Sequence, residues 1–367
     1  MGKRPPLVVM VGTKAQFIKT APILVELDRR GIGYLLVYTG QHSETFDALE
    51  ACFGTRPADD IMVPGTEADT ARGLLGWVAR FCVAAIRRIR RGDWQGARFG
   101  VVHGDTASTL LSALGLRASG VAVAHVEAGL RSSRLFSPFP EEIVRRLVSR
   151  IARLHLAPDA MASANLRGVA GRVVDTGGNS LRDCLGLALP SLLSEGVVAG
   201  GGGYALVSIH RSENLGQRAR LDRIISSVVA TSRILPVRFV LHPVTRKRLR
   251  RSGWWERLES EPGVTLLERT DYIGFVRLML GARFLMTDGG SNQEEAAMLG
   301  LPTLLMRTET ERPDGLEDGC VVLSRLDDEA INAFVASHSA GGWTLRDVSG
   351  PSPSARIVDE LVGRSAG

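Results

Sequence analysis

At 367 residues the chain exceeds what one hydrophobic core usually serves, and 44% hydrophobic with 23% charged residues suits a globular protein of two domains. The net charge of +6 favours an anionic ligand without choosing among phosphate, nucleic acid and membrane. Cys52, Cys82, Cys184 and Cys320 stand far apart with no CxxC or Cys/His ligand spacing, which argues against a disulfide framework or a zinc site and for reduced, buried thiols.

The N-terminal segment MGKRPPLVVMVGTKAQ sets basic residues before the short apolar run Leu7–Val11. The run leads straight into a Gly-containing turn and a helix, so it reads as a buried first strand and not as a signal peptide. No apolar stretch is long enough to span a bilayer, and the expected compartment is the cytoplasm. Further apolar runs follow at Tyr34–Tyr38, Phe99–His103, Val121–Val126, Leu154–Ala157 and Val173–Asp175. Helical patterns such as Ala15–Arg30 and Thr106–Ala118 lie between them. After the glycine-rich stretch Gly196–Gly203 the alternation restarts, with runs at Tyr204–Ile209, Phe239–His242, Val264–Leu267, Phe284–Thr287 and Thr303–Leu305. This pattern predicts an α/β fold of two Rossmann-like domains with parallel sheets, spanning residues 1–190 and 200–350. Residues 351–367 supply a last helix, Ser352–Val362, which by analogy packs back on the first domain.

Ligands of open parallel sheets sit at the carboxyl ends of strands. The first strand ends in Gly12-Thr13-Lys14 and leads to a helix bearing Lys19. A glycine and a helix N-terminus there suit a diphosphate, although a plain strand–turn–helix explains the segment equally well. It is neither a Walker loop nor a GxGxxG fingerprint. Asp105 follows the run ending Val102-His103-Gly104, where a helix N-cap is the competing reading. Glu127 follows the next run, in His125-Val126-Glu127-Ala128-Gly129-Leu130-Arg131. Ser137-Pro138-Phe139-Pro140-Glu141-Glu142 then brings two carboxylates to a helix start. Capping accounts for one of Glu141 and Glu142, but not for both together with Asp105 and Glu127. Carboxylates at neighbouring strand ends suit proton transfer, because repulsion and burial push their pKa values apart.

In the second half, His210 sits at a strand end in Ser208-Ile209-His210-Arg211-Ser212-Glu213-Asn214. Gly289, Gly290 and Ser291 open a helix in a form that suits phosphate, and Glu294 or Glu295 is placed to accept from ribose hydroxyls. Arg307 and the turn Glu311-Arg312-Pro313 offer cations. Tyr272 or Phe275 could stack on a base or belong to the core. The Arg87–Arg91 cluster reads as a solvated helix face, and no basic–aromatic interleaving points to nucleic acid.

The segments GTKAQFIKTAP, TGQH, HGDT, HVEAGLR, SPFPEE, GGNS, HRSEN, TDGGSNQEEA and ERPDGLEDG, in this order and spacing, resemble the UDP-N-acetylglucosamine 2-epimerase family in its non-hydrolysing branch. The resemblance implies a GT-B-like pair of Rossmann-like domains with the nucleotide between them. It implies a homodimer, a UDP-N-acetyl sugar substrate, and no cofactor, metal, nucleic acid or membrane partner. It further implies elimination of UDP to a 2-acetamidoglucal, followed by re-addition with the C2 proton on the opposite face. Carried over, Asp105, Glu127 and Glu141 are the acid/base set and His210 stands near the leaving phosphate. Lys14 and Lys19 fall on the substrate side, Phe275 on the uracil side, and Gly289, Gly290, Ser291, Glu295 and Arg312 on the nucleotide. The family's usual GTRPEAIK is GTKAQFIK here, so Lys14 replaces Arg, Ala15 replaces Pro and Gln16 replaces Glu. Lys14 keeps the charge without the planar fork of arginine. PEExNR becomes PEEIVR, with Val144 for Asn, and DSGG becomes DGGS. Three other functions share parts of this pattern: a hydrolysing epimerase releasing ManNAc and UDP, a GT-B glycosyltransferase using a UDP-sugar donor, and a nucleotide-sugar-binding regulator without activity.

Overall fold

The computed structural model describes residues 6–41, 46–65, 71–132, 140–310 and 312–363. The N-terminal Lys3, His42 of the TGQH segment, the Ser137-Pro138-Phe139 loop and Glu311 lie outside the described residues. Contacts divide the chain into one unit of Met1–Cys184 with Ser349–Gly367 and another of Leu185–Val348.

The first unit is built on a parallel sheet of β1 (Leu7–Val11), β2 (Tyr34–Tyr38), β3 (Asp60–Ile61), β4 (Phe99–His103), β5 (Ala122–Val126), β6 (Leu154–Ala157) and β7 (Arg172–Asp175). Their order is β3-β2-β1-β4-β5-β6-β7. The second unit has β8 (Tyr204–Ser208), β9 (Val237–Leu241), β10 (Val264–Glu268), β11 (Ala282–Thr287), β12 (Thr303–Leu305) and β13 (Val321–Leu323). These lie in the order β10-β9-β8-β11-β12-β13, and every pairing in both sheets is parallel. Two α/β units on parallel sheets is the fold class the apolar runs predict. Central strands such as β1 and β8 are buried at every position, because helices cover both faces.

Strand order reverses between β1 and β4 in the first unit and between β8 and β11 in the second. At such switch points the connections leave in opposite directions and open a crevice at the strands' carboxyl ends. Gly12 and Asp105 follow β1 and β4; His210 and Asp288 follow β8 and β11.

Some boundaries differ from the sequence expectation for identifiable reasons. β9 and β11 begin at Val237 and Ala282, ahead of the expected Phe239 and Phe284, because Arg238 and Arg283 interrupt the apolar runs. The Arg238 guanidinium lies over the Tyr204 ring, 4 Å or so from its centre (3.9 Å), and Arg283 Nη1 donates to the Gly341 carbonyl. The expected buried thiols are corrected: Cys184 alone is buried, whereas Cys82 is exposed on the outer face of the helix Ala71–Arg91. On that helix Arg87, Arg90 and Arg91 are exposed, and Arg88 turns back to pair with Asp60 at 2.6 Å.

The glycine-rich stretch is docked onto the second unit. Gly200 and Gly202 donate to the carbonyls of Leu280 and Gly281 at 2.8 and 2.9 Å. A Cβ on Gly202 would lie 2.3 Å from the Tyr204 ring, so close approach accounts for glycine there. The last helix, Pro353–Val362, packs on the helix Lys14–Arg29, where Arg30 Nη1 meets Asp359 Oδ1 at 2.5 Å. Among the described residues no helix is long and apolar enough to cross a membrane.

Candidate functional site

Lys19, on the helix Lys14–Arg29, reaches the first unit's switch point from β1 and contacts Glu127 Oε1 at 2.5 Å. Asn179 Nδ2 donates to the same oxygen at 2.8 Å. Both Lys19 and Glu127 side chains are 9% exposed, so this ion pair is largely out of water and weakly screened. Glu127 directly follows β5 with φ at 61°, a left-handed conformation that costs a non-glycine residue about 1–3 kcal/mol. The fold therefore spends stability to hold this carboxylate where it is. His103, the last residue of β4, sets Nδ1 3.8 Å from Glu127 Oε2. Burial pushes the His103 imidazole down to about 4, against the attraction of Glu127 and with the help of Lys19, so the ring is neutral near pH 7.

Asp105 lies beside this pair: a Cβ on the intervening Gly104 would be 3.7 Å from Glu127 Oε2. The N-cap reading of Asp105 does not hold. Thr106 caps the helix Ala107–Ala118, in a capping box with Thr109. Asp105 Oδ2 instead accepts from Arg145 Nε and Nη2 at 2.7 and 2.6 Å. Burial works against the Arg145 charge, but Asp105, Glu127 and Glu142 together hold its pKa above the usual arginine value.

The pair Glu141-Glu142 separates into two roles at the start of the helix Glu141–Ile151. Glu142 is fully buried and accepts from Ser132 N and Oγ at 3.0 Å each and from Arg146 Nε at 2.8 Å. Burial raises its pKa, and these donors more than offset that, leaving it below the usual carboxylate range. Glu141 presents a buried Oε2 that accepts no hydrogen bond among the described residues. Lys14, partly exposed, opens the helix that carries Lys19.

At the second unit's switch point the buried Asp288 organises the loop after β8. It accepts from the backbone N–H of His210 at 3.0 Å and of Arg211 at 2.7 Å. The His210 ring stacks on His242, centroids 4.5 Å apart, and its Nδ1 lies 3.4 Å from Asp288 Oδ1 without hydrogen-bond alignment. Burial depresses the His210 pKa against the pull of Asp288, and Arg211 and Arg269 add to the depression. Gly289 and Gly290 have φ of 98° and 78° and turn the chain into the helix Ser291–Leu299. Among the described residues no side chain caps that helix start. Asn292 Nδ2 donates to Ser208 Oγ at 3.1 Å and ties the helix start to the end of β8.

The remaining expected residues of this unit are spread around that centre. Glu295 is buried on the helix Ser291–Leu299, and Glu294 on the same helix pairs with the Arg312 guanidinium. Gln293 Nε2 donates to the Arg312 and Asp314 carbonyls at 3.2 and 3.1 Å, binding the Arg312 turn to the helix. Arg307 is buried in an ion pair with Glu213 at 2.7 Å, which gives it a structural role. Phe275 lies half-buried in the first turn of the helix Tyr272–Gly281, while Tyr272 is buried. Among the described residues no group of three His, Cys, Asp or Glu side chains could hold a metal ion.

Sequence reasoning gave no part to His103, Arg145, Asn179, His242 or Asp288. Two signals were available: Arg145 stands four residues after Glu141 on one helix face, and His242 follows a strand as His210 does.

A family model described as UDP-N-acetylglucosamine 2-epimerase matches residues 26–349. A probable UDP-N-acetylglucosamine 2-epimerase of Ralstonia solanacearum is 32% identical over 91% of this chain and 90% of its own length. The UDP-N-acetylglucosamine 2-epimerase of Bacillus subtilis is 30% identical over 98% of this chain and 96% of its own. The solved structure of the Neisseria meningitidis UDP-GlcNAc 2-epimerase bound to UDP-GlcNAc superposes with a TM-score of 0.82 at 26% identity, covering 98% of this chain and all (100%) of that one. By sequence and fold together, the chain belongs to the UDP-N-acetylglucosamine 2-epimerase family.

Proposed function

We propose that the protein interconverts UDP-GlcNAc and UDP-ManNAc, or a close UDP-N-acetylhexosamine pair, without hydrolysis. The observation that carries this reading is the pair of carboxylates at the β1/β4 switch point, where Lys19 holds Glu127 and Arg145 holds Asp105; Glu141, on the helix that carries Arg145, has a buried oxygen that accepts no hydrogen bond among the described residues. The C2 proton of an N-acetyl sugar is not acidic, so its direct removal would be slow. Elimination solves this. As one carboxylate takes the C2 proton, the C2–H electrons form the C1–C2 double bond and the C1–O bond breaks, releasing UDP beside a 2-acetamidoglucal. In the return step a carboxylic acid delivers a proton to C2 from the opposite face, and the UDP oxygen re-forms its bond to C1. Atoms balance, with no oxidant and no water consumed.

Asp105, Glu127 and Glu141 are the acid/base set, and Lys19 and Lys14 hold the sugar diphosphate. The second unit holds UDP. The backbone N–H groups at Gly290 and Ser291 and the positive end of their helix face the diphosphate, with Gly289 allowing close approach. Glu295 accepts from the ribose, Phe275 meets the uracil and Arg312 adds charge. His210, neutral because it is desolvated, donates to the departing phosphate. HGDT and HVEAGLR support the non-hydrolysing type, and the four free cysteines are consistent with a cytoplasmic enzyme.

Proton NMR of UDP-GlcNAc with the enzyme in deuterated water tests the reaction. Deuterium is expected at C2 together with UDP-ManNAc, and a chelator should leave the rate unchanged. Release of free ManNAc and UDP would make the enzyme hydrolysing, and an inert substrate without acceptor would point to a transferase.

A further inference from the structure

We propose that Gln16 is a positioning residue for the acid/base carboxylates, acting through the backbone of His103; this rests on the epimerase reading above. Gln16 is 4% exposed and uses both ends of its amide. Its Oε1 accepts from the N–H groups of Gly12 and Thr13 at 2.9 and 3.1 Å and from Ser108 Oγ at 3.1 Å. Its Nε2 donates to the His103 carbonyl at 2.7 Å and to the hydroxyls of Thr106 and Thr109 at 2.9 and 2.7 Å. One side chain thus joins the end of β1, where Lys14 follows, to the end of β4, where Asp105 follows.

The joint has no slack. A Cβ on Gly12 would fall 2.2 Å from Ser108 Oγ and 2.7 Å from Thr39 Oγ1. The clamped residue is the one whose imidazole lies against Glu127, and Asp105 comes two residues later. A shift of the His103 carbonyl therefore moves Asp105 and the imidazole that lies against Glu127. Proton transfer to and from one carbon tolerates little such movement, because small misplacements of a reacting group cost large factors in rate.

An amide suits this position in a way a carboxylate does not. The His103 carbonyl can only accept, and the Thr109 hydroxyl already directs its proton to it at 2.8 Å. A glutamate here could donate to the His103 carbonyl only while protonated, with the threonine hydroxyls turning to donate to the oxygen that replaces Nε2. Once ionised it would set a carboxylate oxygen against the His103 carbonyl. Gln16 is a donor that does not titrate.

The test compares wild type, Gln16→Met and Gln16→Glu in C2 exchange and epimerisation across pH. Gln16→Met should lose about 10–100-fold in kcat with KM within about twofold, as expected for lost orientation without lost binding. Gln16→Glu should run close to wild type near pH 5.5 and fall towards the Met variant by about pH 8.5, because only the protonated carboxyl donates. A Glu-to-wild-type ratio that is constant with pH, high or low, overturns the proposal, as does a loss confined to KM. If Gln16→Met does not fold, the pH series of Gln16→Glu decides alone. A wild type that does not epimerise overturns the functional reading and this proposal with it; an active wild type with a flat ratio overturns only the proposal.

Discussion

The two switch points hold their polar groups by opposite means. At β1/β4, side-chain ions are paired with side-chain ions: Lys19 with Glu127 at 2.5 Å and Arg145 with Asp105 at 2.6 Å. At β8/β11, one buried carboxylate, Asp288, is held by backbone N–H groups, and the helix start at Gly290 offers backbone donors. Side-chain ions in a dry site can exchange protons, and their affinities for protons depend on one another. Backbone dipoles cannot titrate, and they present a fixed surface to an anion that must be held unchanged. The first arrangement suits chemistry on the sugar, and the second suits retention of UDP.

The largest effect that would break or sharpen this contrast comes from the carboxylates. Asp105→Asn, Glu127→Gln and Glu141→Gln should each lower turnover by about 10²–10⁴-fold, the range for a positioned acid or base. UDP affinity measured by calorimetry should change by less than about threefold, since the proposal gives UDP, apart from Lys14 and Lys19, to groups of the second unit that these changes leave untouched. Turnover and UDP affinity falling together in all three variants would erase the division of labour.

Gly290 gives a smaller effect of opposite character. With φ at 78° and ψ at −150° it occupies a region open essentially to glycine, while a Cβ there would meet nothing within 4 Å. Gly290→Ala is therefore a backbone perturbation without a clash. It should weaken UDP binding by about tenfold through displaced N–H donors, because relieving 1–3 kcal/mol of strain moves the helix start. Deuterium exchange at C2 under saturating substrate should fall much less. Unchanged UDP affinity would remove this helix start from the nucleotide site.

What the sequence made legible follows from the range of each interaction. The apolar runs of β1, β2, β4 and β6 coincide with the strands residue for residue, because a strand buried on both faces writes itself locally. β3 and β13, two and three residues long at sheet edges, leave too short a run to recognise. The carboxylates were legible as residues at strand ends, but their state was not. Asp105 is held by an arginine forty residues later in the chain (a separation of 40), and only the fold brings the two together. The same limit applies to Glu142: its neighbour Glu141 is identical in type, and only Ser132 and Arg146 reveal which of the two is structural.

The smallest predicted effect concerns acid stability and again separates the two units. In the first, His125 on β5 is buried within electrostatic reach of Asp105 and Glu127, and its Nε2–H donates to the Gly104 carbonyl at 2.8 Å. Burial pushes its pKa down to about 4, as it does for His103, with the Gly104 bond opposing the shift. The unfolded chain takes up a proton near pH 6.5, whereas the folded chain waits until about pH 4. Folding is therefore unpenalised by these groups above about pH 6.5, and their contribution is lost as pH falls from there towards 4. Each histidine should lower stability by about 1.4 kcal/mol per pH unit within that window. Between pH 6.5 and 5 the wild type should lose about 2 kcal/mol more than His125→Asn, which removes one of the two groups and keeps a side-chain donor for Gly104. Hydrogen exchange of β4 and β5 amides at the two pH values measures this in the first unit itself. An equal pH dependence in wild type and variant would mean that His125 is protonated in the folded state, and the dry setting assigned to the Glu127 carboxylate would have to be given up with it.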